Sequence, residues 1–416
     1  MSSLIKQLPV YGVDLDMTPY ESIVTHPYFT RTSRVQQVPF AEHLYPGCKH
    51  VREEHLLGSF YKASELAHAL GLTREEAEAL KVAALLHDIR HGAYSHVTDY
   101  LTAKIGISHN DKIPETVEEM FPELGTIEAV DPQRVLKILK GEDELSPMVK
   151  SVLGADKLDY VSLDLYHCGI GQFSSSRLIN RTAFRGSNGS RKYGVTYDGG
   201  GGDELTDFLK AWWSAHRRIY LESSVETRRD MFRRAANYTL DDSELHTLFD
   251  MDDAALMVRL QQSDDANVRS LLDNVNNSNL HTPLFVFKLD GYTRYVDDTG
   301  AEVSSLTVDE SGVMEDLSRV YDMEESLCRE FDTPKGSIII SRSEDIGRMD
   351  PRKKESNVFV GGSNEPQNLE ATYPDFVNYL LEEARRHFSI RLTVDPKYAQ
   401  HVRQRIGNKN PKGLLF

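Results

Sequence analysis

The segment Ala83-Ala-Leu-Leu-His-Asp-Ile-Arg-His-Gly-Ala-Tyr-Ser-His96 places an imidazole and a carboxylate at the end of an apolar run. His87 shares a helical face with Leu80 and Ala84, so it points inward. Asp88 follows it, where a charged carboxylate is costly unless it is paired or bound to a metal. Neighbouring helical residues diverge by about 100°, so both can reach one ion only near a helix end. By the same logic His55 opens the preceding helix in Arg52-Glu-Glu-His55. Asp156 interrupts an apolar stripe of Val149, Val152, Leu153, Tyr160 and Leu163. Two imidazoles and two carboxylates on three helices suit a divalent transition ion with open positions for water and phosphate oxygen. Core histidines hydrogen-bonded beside paired carboxylates fit the same spacing. Spacing alone leaves both readings open.

The elements that must position these groups can be read from periodicity. Leu56, Phe60, Ala63, Ala67 and Leu70 form one helical face, closed by Gly71. Thr73-Arg-Glu-Glu76 is a capping box that starts a second helix, expected to run to about Ile89. A third is expected from about Pro147 to Cys168. Asn188-Gly189 predicts a tight turn, and Arg191–Tyr197 one strand of a small hairpin. Gly199–Gly202 reads as a flexible linker, because no Gly-Lys-Ser/Thr follows to make a phosphate loop. Between Asp241 and Asp265 the acidic residues lack the spacing of a calcium loop and read as helix caps. Ser337–Ser341, Asn357–Val360 and Ile390–Val394 are β-branched runs, with a helix expected from Pro374 to His387. The fold class is therefore mainly α, a helical core with a smaller α+β C-terminal lobe.

Composition bounds the function. The chain has 416 residues, 40% hydrophobic and 27% charged, the profile of a soluble globular protein. At roughly 150 residues per domain, two or three lobes are expected. No apolar run approaches the roughly 20 residues of a membrane span. The N-terminus lacks a signal peptide's apolar stretch. Three scattered cysteines, Cys48, Cys168 and Cys328, point to a reducing, intracellular (cytoplasmic) setting. With 64 acidic against 48 basic residues the net charge is −16, which disfavours extended nucleic-acid binding. The basic tail of Arg403, Arg405, Lys409 and Lys412 reads as a solvated end. An anionic substrate would need a local positive pocket.

Taken in order, Arg52-Glu-Glu-His55, Leu86-His-Asp-Ile89, His91-Gly-Ala-Tyr-Ser-His96 and Ala155-Asp-Lys-Leu-Asp-Tyr160 resemble the HD superfamily of metal-dependent phosphohydrolases. His26-Pro-Tyr-Phe-Thr-Arg31, Gln37-Val38, Tyr45-Pro-Gly-Cys-Lys-His50 and His216-Arg-Arg-Ile-Tyr220 resemble its deoxynucleoside triphosphate (dNTP) triphosphohydrolases. The resemblance runs from about residue 20 to about residue 285. It implies a lead-in at 1–50 contributing to the active site, an HD catalytic domain at 51–275 and an α+β lobe at 276–416. The implied reaction is water attack at the α-phosphorus of a dNTP, giving deoxynucleoside and inorganic triphosphate.

The resemblance further implies His55, His87, Asp88 and Asp156 as metal ligands. The site admits iron, manganese, zinc, cobalt or nickel, with magnesium on the substrate phosphates. His91, Asp99 and His109 become the catalytic groups, Asp99 fixing the His109 tautomer for proton donation to the leaving 5′-oxygen. His96, Arg52, Lys157 and Tyr160 become phosphate-side contacts, and Gln37 and Asp164 readers of the 3′-OH. Tyr220 becomes the aromatic that crowds the sugar's 2′ face. A homo-oligomer, whether dimer, tetramer or hexamer, is implied as well. Five positions depart from the pattern. Asn110 replaces an acid, Trp212 replaces a phosphate-contacting arginine, and Val38 replaces a leucine. Thr25 and Ser33 stand where relatives read guanine at an activator site, a task neither suits. An HD phosphohydrolase acting on a nucleoside monophosphate, an alarmone or single-stranded nucleic acid is the alternative enzyme, and a non-enzymatic nucleotide sensor a third reading.

Overall fold

Thr73 and Glu76 form the expected reciprocal cap at the head of the second helix, the Thr hydroxyl on the Glu76 N–H and the Glu carboxylate on the Thr73 N–H. The computed structural model describes residues 3–186, 190–294, 301–307, 317–343, 357–407 and 410–415. The expected Asn188-Gly189 turn and Lys409 lie outside the described residues. The chain forms two compact units, one of Met1–His216, Glu244–Leu256 and Pro351–Val377, the other of Arg217–Ser243, Met257–Asp350 and Asn378–Phe416.

The first unit opens with a hairpin, β1 (Ile5–Leu8) antiparallel to β2 (Val13–Asp16), with Ile5 opposite Asp16. Its helical core is built on α1 (Arg52–Ala69), α2 (Arg74–Leu86), α3 (His96–Thr102), α4 (His109–Glu119) and α5 (Ala155–His167). Helix α2 stops at Leu86, short of the expected Ile89, so His87 is its C-cap and Asp88 lies in the turn that follows the helix. The third predicted helix is two pieces, Pro147–Lys150 and α5. Gly154 lies so close to the Val149 carbonyl that a Cβ there would sit 2.3 Å from its oxygen, and the chain bends at that contact. Asp156 consequently stands in the first turn of α5, where the helix dipole favours a negative charge.

The expected hairpin forms from β3 (Thr182–Arg185) and β4 (Lys192–Thr196). A two-residue strand, Val358–Phe359, pairs with β4 in parallel, so this β-branched run joins the first unit's sheet. The glycine run is not a linker. Gly201 and Gly202 are the first turn of α6 (Gly201–Ala215), and a Cβ on Gly202 would lie 1.3 Å from the Tyr373 hydroxyl. The acidic stretch supplies caps as expected, with Asp241 on the Ser243 N–H, Asp252 on Ala255 and Asp265 on Asn267.

The second unit contains α7 (Ser223–Thr239), α8 (Ala266–Asn276) and α9 (Leu317–Glu330). Its mixed sheet has β5 (Thr282–Leu289), β6 (Glu302–Leu306), β7 (Ile338–Arg342) and β8 (Ile390–Val394) in the order β6-β5-β8-β7. β5 and β6 run parallel, and β8 is antiparallel to both β5 and β7. Leu284, Phe287, Ile340 and Leu392 belong to one buried core with Phe331. Arg234 makes a buried two-bond fork to Glu324, and the same carboxylate accepts the Ile340 N–H. The molecule is thus a largely helical core with a smaller α+β region toward the C-terminus. Among the described residues, no helix is long and apolar enough to cross a membrane.

Candidate metal centre

Three helix ends meet at four side chains. His55 comes from the first turns of α1, His87 and Asp88 from the end of α2, and Asp156 from the start of α5. His55 Nε2 lies 3.5 Å from Asp156 Oδ1 and 3.8 Å from Asp88 Oδ2. His87 Nε2 lies 3.6 Å from Asp156 Oδ1 and 3.8 Å from Asp88 Oδ1. These gaps are too long for good hydrogen bonds. They are close to the roughly 3–3.5 Å that separates two donor atoms each about 2.1 Å from one ion.

Both imidazoles have the other nitrogen occupied. His55 Nδ1 is 2.7 Å from Asp159 Oδ2, and His87 Nδ1 is 2.8 Å from the Ala84 carbonyl. His87 Nε2 is buried with no hydrogen-bond partner. Burial alone would raise the Asp88 carboxyl, but the His91 and His87 imidazoles outweigh it and hold it well below the usual range. Asp156 behaves alike, burial being outweighed by His55 and His87. The donor set, its spacing and its orphaned nitrogen fit a divalent metal ion, and the cluster can coordinate one.

A second group of histidines adjoins the first. His91 stacks on His109 at 3.6 Å and meets His96 edge-on at 4.7 Å. Asp99 accepts from His96 Nδ1 at 2.9 Å and from His109 Nδ1 at 3.0 Å, which turns His109 Nε2 toward Asp88 at 3.7 Å. Burial, with Arg52 and His109 nearby, holds the His91 pKa well below that of a free imidazole. His96 is exposed at the rim. Arg52 is buried; its Nη1 donates to Asp88 at 2.6 Å and its Nε to Ser95 Oγ at 2.9 Å, while Nη2 has no hydrogen-bond partner. Ser95 holds this arrangement at a left-handed φ of 52°. Lys157 lies 3.8 Å from Asp156.

Gln37 and Asp164 are joined through His50. The Gln37 N–H donates to the His50 carbonyl at 3.0 Å, and His50 Nε2 lies 2.6 Å from Asp164. Burial would lower the His50 pKa, but the bond to Asp164 outweighs it and lifts the imidazole to about 9. Gln37 Oε1 is buried with no hydrogen-bond partner. Trp212 donates its indole N–H to the Tyr160 hydroxyl at 2.9 Å, so it is a buried brace on the site wall. Asn110 accepts from Lys150, and the Thr25 and Ser33 hydroxyls donate to the backbone carbonyls of Glu21 and Thr30. Tyr220 closes the π-helical stretch His216–Tyr220 and belongs to the second unit.

Residues 52–161, which carry all four clustered groups, match the model of the HD domain. The chain therefore carries an HD domain over that stretch. This HD protein is similar to an uncharacterized protein of Methanocaldococcus jannaschii, 25% identical over 269 residues, 64% of this chain and 56% of that protein. It is distantly related to human SAMHD1, a deoxynucleoside triphosphate triphosphohydrolase, 36% identical over 99 residues. That match covers 22% of this chain and 16% of SAMHD1. The fold is shared with a hypothetical protein of Aquifex aeolicus, with a TM-score of 0.69 at 20% identity, covering 97% of this chain and 100% of that one.

Sequence reasoning missed four residues of the HD site. Asp159 and His50 each hold a side chain already singled out, and Ser95 holds Arg52. Arg31 is buried and donates to the carbonyls of Ile89, His91 and Met251, clamping the turn after Asp88. Asp159 carried a usable signal, being one helical turn after Asp156 on the same face.

Proposed function

We propose that this HD protein is a metal-dependent dNTP triphosphohydrolase, splitting a dNTP into deoxynucleoside and inorganic triphosphate by water attack at the α-phosphorus. The observation that carries the reading is the convergence of His55, His87, Asp88 and Asp156 at 3.5–3.8 Å with His87 Nε2 left unpartnered. Those four would hold the metal, which when bound supplies Lewis acidity to a phosphoryl oxygen and a more acidic water. Arg52 has two donors committed to Asp88 and Ser95, which leaves Nη2 for a phosphate oxygen. Lys157 adds a point charge beside Asp156. His109, its Nδ1 held by Asp99, presents Nε2 to protonate the leaving 5′-oxygen. His91 supports it by stacking, and His96 at the rim meets the distal phosphates. Gln37 and Asp164, locked through His50, read the 3′-OH. Tyr160 contributes its hydroxyl. Tyr220 as the aromatic against the 2′ face, and assembly as a homo-oligomer, rest on the family resemblance. The naming of SAMHD1 as a dNTP triphosphohydrolase supports the substrate class.

A second reading, an HD phosphohydrolase for another nucleotide, is favoured by Trp212. Bonded to Tyr160, it gives this wall an indole where the resemblance calls for a phosphate-binding guanidinium. Product analysis separates the two. Metal-loaded protein incubated with each dNTP and NTP should release inorganic triphosphate from dNTPs. Release of single phosphates, or activity confined to monophosphates or oligonucleotides, would select the second reading.

A further inference from the structure

We propose that Asp159, itself held by the Tyr11 hydroxyl, is the positioning residue that fixes His55 for the metal. The proposal rests on the metal reading above and extends it to the N-terminal hairpin. Asp159 is fully buried and uses both oxygens: Oδ2 faces His55 Nδ1 at 2.7 Å, and Oδ1 accepts from Tyr11 Oη at 2.6 Å. A carboxylate on Nδ1 fixes the imidazole tautomer, leaves Nε2 for the ion and raises the ligand's basicity. His87 has only a backbone carbonyl in that role, so the two imidazole arms are held by acceptors of different charge.

Asp159 follows Asp156 by one turn of α5, so one helix face delivers a carboxylate to the cluster and another to the histidine beside it. Opposite it, Gly58 follows His55 by one turn of α1. A Cβ on residue 58 would lie 1.9 Å from Asp159 Oδ1, so the helix surface is cut away where the carboxylate enters. Tyr11 comes from the turn between β1 and β2, and its ring lies 3.9 Å below the Lys62 ammonium, which bonds Glu65 at 2.7 Å. The hairpin turn is thereby tied to both α1 and α5 at the level of the metal centre. Nothing in a merely packing role requires a fully buried carboxylate with a donor on each oxygen.

The test uses the full chain stripped of metal with a chelator and titrated with Co²⁺ against a chromophoric competitor, with the Co²⁺ ligand-field spectrum recorded. Asp159→Ala should bind Co²⁺ about 10–100-fold more weakly with an altered spectrum. Asp159→Asn, which keeps an acceptor, should fall between it and wild type, and Tyr11→Phe should weaken binding by a smaller factor. If Asp159→Ala does not fold, Asp159→Asn and Tyr11→Phe decide, both judged against their metal-free melting curves. Folded variants with wild-type affinity and spectrum would overturn the proposal. His87→Ala is the control on the metal reading itself. Should wild type and His87→Ala bind Co²⁺ equally, or wild type bind none, that reading fails first and the proposal with it.

Discussion

Replacing Gly58 with alanine sets two effects of opposite sign against each other. In a helix interior, glycine to alanine gains about 1 kcal/mol from backbone propensity. Here the new methyl would stand 1.9 Å from Asp159 Oδ1, 2.5 Å from its Cγ and 2.9 Å from Oδ2. Asp159 is fully buried on α5 and has nowhere exposed to swing. Overpacking costs about 1–3 kcal/mol. A displaced carboxylate would also lose at least one charge-assisted hydrogen bond, from His55 or Tyr11, worth about 1.5–3 kcal/mol. The sum less the propensity gain is a net destabilisation of about 1.5–5 kcal/mol. Urea denaturation in chelator, followed by circular dichroism, measures it. The decisive arm is a double-mutant cycle. On an Asp159→Ala background the space is vacated, so Gly58→Ala should be neutral or stabilising there. A Gly58→Ala protein as stable as wild type, or an equal cost in both backgrounds, would refute the reasoning.

Arg31→Met strips donors from the carbonyls of Ile89, His91 and Met251 and should cost about 3 kcal/mol or more, read from the urea midpoint. His281, in the second unit, is held down by burial to about 4 from an ordinary 6.5. Below pH 6.5 the unfolded chain takes up a proton that the folded chain refuses, so its stabilising contribution is complete above that pH and lost as pH falls toward 4. The full loss is about 3 kcal/mol, and His281→Gln should flatten that part of the stability–pH curve measured by urea unfolding. Arg52→Lys keeps the charge but not the fork that serves Asp88 and Ser95 together and, in the proposed function, a phosphate oxygen as well. Metal content should persist while KM for a dNTP rises about tenfold or more, equivalent to about 1.4 kcal/mol of lost binding.

The centre of the site was legible because its signals are local. A histidine and an aspartate at the end of an apolar run, and an aspartate inside an apolar stripe, reveal themselves through helical period and the cost of burying charge. The Thr73 capping box and the strands at Ile338–Arg342 and Ile390–Val394 were readable for the same reason. What escaped reading depends on partners distant in sequence. Gly202 looks like a linker until Tyr373 is found against it. Gly58 looks like a weak point in a helix until Asp159 arrives from another helix. Tyr11, in a hairpin turn, meets Asp159 across 148 residues. The bend at Gly154 was hidden because the apolar stripe continues across it.

The central claim is a metal-dependent attack that frees an intact triphosphate, and inorganic triphosphate measured against metal content on one preparation tests it most directly. Wild-type protein carrying bound divalent metal should release triphosphate from dNTPs in preference to NTPs. His87→Ala, folded but unable to complete the four-residue cluster, should hold no metal and release none. Triphosphate release undiminished in His87→Ala, or products limited to single phosphates, would contradict it.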